Sequence, residues 1–390
     1  MNVRLHWYLP TSGDGRTVCD RAFPELDGQA TVGGSPLTGT AAAAGRLPDI
    51  EYLAQIARSA EQLGFEGVLT PTGLWCEDAW LVTSALARET ERLKFIVAFR
   101  PGLTSPVLAA QMAGTFQRLS RGRLLLNVVS GGHSDELRRF GDYTPHDARY
   151  ARCDEFLAVV RGAWGARPYD FDGEYYRVSG ATVFAPPEPV PDIYFGGSSS
   201  PAAGVAARRA DVYLSFGEPP PRQAEKIEWI RGAAASEGRT LRFGIRIHVI
   251  TRDRPEDAWA AAGRLLALAD PAEFESTERT LAVSESEGQR RQQELLAKYR
   301  STRDPRDLQV YPGLWAGIGL LRGGAGTAMV GSHEQVADLI EDYARRGVDE
   351  FILSGYPHLE EAYWFGEGVL PELRRRGLAA AGSRLAAART

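Results

Sequence analysis

Residues 242–250 read Arg-Phe-Gly-Ile-Arg-Ile-His-Val-Ile. Phe243, Ile245, Ile247 and Val249 alternate with Gly244, Arg246 and His248. That is the period of a β-strand with one apolar face and one small or charged face. The run is β-branched and flanked by helical patterns, which predicts an inner strand rather than an edge. An arginine and a histidine on the covered face of such a strand are costly to bury unless a partner meets them. A carboxylate of the protein or an anionic ligand would each serve.

Seven further strand candidates surround this one: Val3–Leu9, Gly67–Thr70, Lys94–Ala98, Leu124–Val129, Ile193–Phe195, Val212–Leu214 and Glu350–Leu353. Helical patterns separate them, among them Ile50–Leu63 closed by Gly64, Pro106–Leu119, Asp147–Trp164, Pro255–Leu268 and His333–Arg346. Repeated βα units predict a parallel sheet with helices outside, and eight of them predict a closed (β/α)8 TIM barrel. A doubly wound open sheet is the alternative, but no Gly-x-Gly-x-x-Gly follows the first strand. The chain is read as a single domain over residues 1–390. Three insertions interrupt the rhythm, at about 13–48, 168–191 and 270–331. Insertions of this length in a barrel are expected at the C-terminal face. The second reads as a hairpin, with Phe171-Asp172-Gly173-Glu174-Tyr175 at its turn.

The chain has 390 residues, 45 Lys and Arg against 50 Asp and Glu, and a formal charge of −5. No basic block suggests a nucleic-acid partner, and no apolar run approaches a membrane span. The chain starts directly on a strand-like run, so no signal peptide is expected. Cys19, Cys76 and Cys153 have neither metal-ligand spacing nor a disulfide framework. No metal is expected, and the thiols suit a reducing cytoplasm.

In barrels of this kind, chemistry sits where strands end. The first strand leads to Thr11-Ser12-Gly13-Asp14-Gly15, the second to Leu74-Trp75-Cys76, and the third to Arg100. Asn127 and Ser130 end the fourth strand, with His146 and Tyr150 one helical turn apart beyond it. These four could bind a ligand's polar edges or merely cap a turn and decorate a surface. Gly196-Gly197-Ser198-Ser199-Ser200 immediately precedes a helix. It could cradle a phosphate at the helix N-terminus, or be a simple N-cap. Cys76 has no base beside it in sequence, and a structural thiol is the plain alternative. Arg322 opens a glycine-rich stretch, 322–327, suited to closing over an anion; a solvated loop arginine is the alternative. Tyr356 and His358 follow the last strand as acid–base candidates or ordinary loop residues.

Eight stretches resemble the bacterial luciferase-like flavin monooxygenases, and within them the two-component alkanesulfonate monooxygenases. They are WYLPTSGDG (7–15), LGFEGVLTPTGLWCEDAW (63–80), RLKFIVAFRP (92–101), YFGGSS (194–199), FGEPP (216–220), residues 242–250, LWAGIGLLRGGAGTAMVG (314–331) and LSGYPHLEEAY (353–363). The resemblance implies a barrel that takes reduced FMN from a separate NAD(P)H-dependent flavin reductase and uses O2 as co-substrate. It implies cleavage of the C–S bond of a small anionic organosulfur compound, releasing sulfite and an aldehyde. It assigns Arg246 to the sulfonate and a proton, His248 to acid–base or orienting work, and Arg322 to a shielding loop. Cys76 and Tyr356 would stabilise the oxygenated flavin. Asn127, Ser130, His146, Tyr150, Ser198 and Ser199 would hold FMN, with the serines at its phosphate. A homo-oligomer, dimer or tetramer, is expected.

Four departures from the family pattern fall near the mouth of the expected pocket. Ser12 replaces a histidine, Phe216 a tryptophan, and Leu74-Trp75 a more polar pair, while the segment between Gly15 and Asp49 is longer. Ser12, Trp75 and Phe216 are therefore assigned to the substrate pocket, together with His358. The departures bear on which substrate is taken more than on the reaction class. The alternatives are a sulfone, a specialised metabolite with another anionic group, or a deazaflavin-dependent oxidoreductase on the same scaffold.

Overall fold

The computed structural model describes residues 2–16, 45–130, 134–268, 298–322 and 326–380, without the side chains of Asp135, Leu320 and Arg322. Most of the first insertion and much of the third lie outside the described residues, as does Cys19.

Eight parallel strands close into a barrel: β1 (Arg4–Tyr8), β2 (Gly67–Thr70), β3 (Lys94–Phe99), β4 (Leu124–Val128), β5 (Ile193–Phe195), β6 (Val212–Phe216), β7 (Arg242–Arg252) and β8 (Glu350–Ser354). The ladder runs β6-β5-β4-β3-β2-β1-β8-β7, and β6 pairs with β7 to shut it. All eight coincide with the strand candidates, within a few residues at each end. Helices return the chain between strands, and their starts are chemically marked. Asp49, Asp78 and Ser105 accept from the backbone N–H of Tyr52, Leu81 and Leu108, and Ser332 forms a capping box with Gln335. No helix among the described residues is long and apolar enough to cross a membrane.

Two layers of packing follow from strand alternation. The outward set, including Phe243, Ile245, Ile247 and Val249, joins the large core between sheet and helices. The inward set, with Tyr8, Leu69, Ile96, Leu125, Tyr194, Val212 and Ile352, fills the barrel as a smaller cluster. Gly244, Arg246 and His248 therefore point inside. At the N-terminal end the filling is polar. Glu350, fully buried, accepts from the Tyr194 hydroxyl at 2.5 Å, with His6 Nε2 at 3.3 Å and Arg242 Nε at 3.0 Å.

β7 is eleven residues long, and its second half leaves the barrel. Residues 248–252 pair in parallel with Ala328–Ser332, a strand the sequence reading missed. Leu314–Trp315 and Gln309–Tyr311 extend this annex antiparallel. The described part of the third insertion is thus partly sheet. The hairpin Tyr169–Asp172/Arg177–Ala181 forms as expected, with Asp172 opposite Arg177. It follows the C-terminus of helix His146–Ala163 and precedes the start of β5, so it departs from the N-terminal end of the barrel.

Candidate active site

The side chains at the C-terminal mouth are placed by register. Arg246 lies opposite Phe216 on β6 and Ile352 on β8, and His248 lies opposite Ser354. The Arg246 guanidinium rests on the Tyr8 ring, 4.4 Å from its centroid, a cation–π contact that holds the charge inside the barrel. His248 is buried, its Nδ1 2.8 Å from the Ser354 hydroxyl, and its ring stacks on Tyr356 at 5.7 Å and 16°. Tyr356 meets His358 edge to face at 4.8 Å. The His358 ring lies 5.4 Å from Tyr8. Arg246, His248, Tyr356 and His358 thus form one contiguous group around Tyr8. Phe216 is brought beside Arg246 by the ladder and is exposed toward the mouth.

The loops around this group are tied together. Glu77 N–H donates to the Thr11 carbonyl at 3.0 Å, joining the loop after β1 to the loop of Trp75 and Cys76. Leu74 N–H donates to Glu136 at 2.9 Å, and Arg100 donates to the other oxygen of that carboxylate. The half-buried Cys76 thiol donates to the Gly73 carbonyl at 3.6 Å, and Trp75 is packed against Gly73. The chain beyond Arg322 returns to the same strand ends. His248 N–H donates to the Thr327 carbonyl at 2.9 Å, and the Thr327 hydroxyl donates to Gly217 at 2.7 Å. The Arg322 side chain lies outside the described residues.

A second cluster forms around the glycine-rich turn after β5. A Cβ on Gly196 would sit 2.2 Å from the Leu214 carbonyl, and one on Gly197 (φ 156°) 2.5 Å from Ala202 and 3.3 Å from the Tyr150 hydroxyl. Only glycine fits at both positions. Ser199 caps helix Ser200–Arg209, accepting from Ala202 N–H, and Ser198 is exposed. The N-cap is therefore real. The glycine turn also leads directly into the helix N-terminus, a sequence of elements that suits an anion. Tyr150 turns in toward Gly197 and Phe195, whereas His146 is half-exposed and paired with Asp147 at 2.7 Å. Asn127 points into the barrel, in register with Ala98 and Tyr194. Ser130 lies beside Cys153, whose thiol burial pushes up to about 12, the hydroxyl opposing this. Cys153 is thereby an inert structural thiol.

Buried polar atoms that meet no hydrogen-bond partner among the described residues occur at this end, Thr11 Oγ1, Ser12 Oγ, Arg100 Nε and Nη1 and His358 Nε2, as they do at the base of the barrel at His6, Arg242 and Glu350. Such atoms are rare in folded proteins, and those at the mouth could meet polar groups of a ligand. Sequence reasoning assigned no role to Tyr8, Asp14, Arg100 or Glu136. Only Asp14 and Arg100 stood at strand ends, and no spacing rule links them to the rest.

A family model described as luciferase-like monooxygenase matches residues 29–350, most of the chain. The chain belongs to the luciferase-like monooxygenase family. Solved structures of similar fold include DmoA from Hyphomicrobium sulfonivorans, at 22% identity and TM-score 0.75 over 98% of this chain and 90% of that one. EDTA monooxygenase (EmoA) from Chelativorans sp. BNC1 matches at 20% identity and TM-score 0.74, covering 97% and 95%. The coenzyme F420-dependent tetrahydromethanopterin reductase from Methanopyrus kandleri matches at 16% identity and TM-score 0.62, covering 83% and 96%. These solved structures share the fold; the site residues above are this chain's own.

Proposed function

We propose that this protein is a two-component monooxygenase that takes reduced FMN from a separate NAD(P)H-dependent reductase. With O2 it cleaves the C–S bond of an alkanesulfonate to give sulfite and an aldehyde. The observation that carries the reading is Arg246, a guanidinium held inside the barrel on Tyr8 beside His248. A sulfonate keeps its negative charge at any ordinary pH, and a fixed arginine gives it charge-assisted bonds with no proton ambiguity.

The residues present fit a flavin phosphate and ring. The Gly196–Gly197 turn with Ser198 and Ser199 would take the phosphate, with Tyr150 alongside. Asn127, the unmet hydroxyl of Ser12 and the hydroxyl of Ser130 suit polar edges of the ring system. Bound reduced flavin supplies the electrons that activate O2. Arg246 then anchors the sulfonate, Ser354 orients His248 through Nδ1, and Tyr356 covers the His248 ring. Arg322, on a segment whose far end is docked at His248, would close the mouth against water. Phe216 beside Arg246 gives the sulfonate's neighbourhood an apolar wall, which favours a hydrophobic tail on the substrate.

We read residues 1–390 as a single domain and the protein as a cytoplasmic homo-oligomer. Leu81 and Leu119, about three-quarters exposed on outer helices, are candidate contacts. The test is sulfite release across a panel of sulfonates and sulfones, supplied with a flavin reductase, NADPH and FMN. Sulfite from at least one sulfonate is expected. Turnover with F420 in place of FMN, without sulfite, would replace this reading by the deazaflavin one.

A further inference from the structure

Asp14 is fully buried just beyond β1, and among the described residues every hydrogen-bond partner of its carboxylate is a donor or the His358 ring. Oδ1 accepts from Gly15 N–H at 2.8 Å and lies 2.9 Å from His358 Nδ1. Oδ2 accepts from His358 N–H at 2.8 Å and from the Tyr52 hydroxyl. Burial alone would raise the Asp14 pKa, but its pairing with His358, through ring and backbone N–H, and the Tyr52 hydroxyl outweigh it and hold the pKa below the usual carboxylate range. An ionised carboxylate cannot donate, so Nδ1 must carry the proton shared with Oδ1. In the neutral ring that leaves Nε2 as a lone pair. Nε2 is buried, has no hydrogen-bond partner among the described residues, and points away from Asp14.

The ring is held on further sides. Tyr8 lies at 5.4 Å and Tyr356 at 4.8 Å, and these are the residues against which Arg246 and His248 rest. Behind Asp14, the Tyr52 hydroxyl accepts from Arg46 at 3.0 Å, and Arg46 grips Glu360 with both Nη atoms. The carboxylate is therefore locked on its far side by Tyr52 and Arg46, while the second ring nitrogen lies on the opposite side of the ring, beside Tyr8 and Tyr356.

We propose that Asp14 and His358 form a carboxylate–imidazole pair in which Asp14 is a positioning residue and His358 Nε2 accepts the proton that releases sulfite. The proposal rests on the alkanesulfonate reading. One oxygen inserted at the carbon bearing the sulfonate gives a 1-hydroxyalkanesulfonate. Nε2 takes the hydroxyl proton, the O–H electron pair becomes the second C–O bond, and the C–S pair leaves on sulfur as sulfite. The ring becomes a cation against the Asp14 carboxylate, and no oxidant is consumed in this step.

Two measurements separate the pair from the substrate. Histidine-labelled ¹⁵N NMR on the protein alone, with His358 assigned by His358→Gln, should show Nδ1 protonated and Nε2 bare. In Asp14→Asn either amide orientation turns N–H₂ toward a backbone N–H, of Gly15 or of His358, so the ring should lose its single fixed tautomer and Nε2-protonated ring should appear; Tyr52→Phe, which leaves the pair intact, should keep Nδ1 protonated. Flavin-free sulfite release from synthetic 1-hydroxyoctane-1-sulfonate should be faster with wild type than in buffer. It should fall at least about tenfold in Asp14→Asn and His358→Gln. A wild-type ring protonated at Nε2, or as imidazolium throughout pH 6–9, overturns the pair even if Asp14→Asn does not fold. Variants as fast as wild type overturn the role in sulfite release. If the tautomer is as expected but wild type gives no acceleration, the alkanesulfonate reading fails and the pair stands as geometry alone.

Discussion

Replacing Glu350 with glutamine should remove most of the acid sensitivity that the base of the barrel confers. Glu350 opens β8 and is fully buried. Burial by itself would raise its pKa, but the hydrogen bond and charge of His6, the Tyr194 hydroxyl and Arg242 together hold it at about 2, against 4.5 for a free glutamate. The folded pKa is depressed, so the stabilisation is present above the unfolded value and is lost as pH falls from about 4.5 through 2. At ~1.4 kcal/mol per unit the gap corresponds to about 3 kcal/mol at neutral pH, of which about 1 kcal/mol is gone by about pH 3.5. Glu350→Gln keeps the shape but not the charge, leaving Arg242 and His6 facing a neutral amide inside the barrel. We expect it to cost on the order of 3 kcal/mol at pH 7. Guanidinium unfolding of both proteins at several pH values between 7 and 3.5 measures this, with the two curves converging toward acid. A difference below 0.5 kcal/mol at pH 7, on the order of an ordinary surface substitution, would refute the reasoning, as would a difference unchanged down to pH 3.5.

Arg246→Ala should leave the fold intact and lower kcat/KM for the sulfonate by about 10- to 100-fold per charge-assisted bond lost, measured as sulfite release; Arg246→Lys should recover only part, since an ammonium lacks the planar fork. Gly196→Ala places a Cβ 2.2 Å from the Leu214 carbonyl. It should cost about 1–3 kcal/mol in chemical denaturation and weaken reduced-FMN binding seen by fluorescence quenching. Native alkylation with iodoacetamide, mapped by mass spectrometry, should label Cys76 and spare Cys153, whose thiol burial pushes up to about 12. Labelling of Cys153 in the folded protein would contradict its burial.

The strands were legible because their period is local. Alternation along residues 242–250 and the helical repeats between strands follow from side-chain direction, and all eight strands appeared. Ala328–Ser332 escaped because a short run containing Gly331 shows neither period and becomes a strand only by pairing with the overhang of β7. The polar residues at strand ends were also legible, since a strand's end is set by the same local pattern. Their company was not. That Arg246 sits on Tyr8, that His358 is held by Asp14 and that Tyr150 reaches Gly197 depend on barrel closure. Closure brings positions as far apart in sequence as 14 and 358 within hydrogen-bonding range. Periodicity and composition are properties of neighbours along the chain and determined the class of fold. Which buried charge meets which partner is a property of neighbours in space, and only the folded barrel decided it.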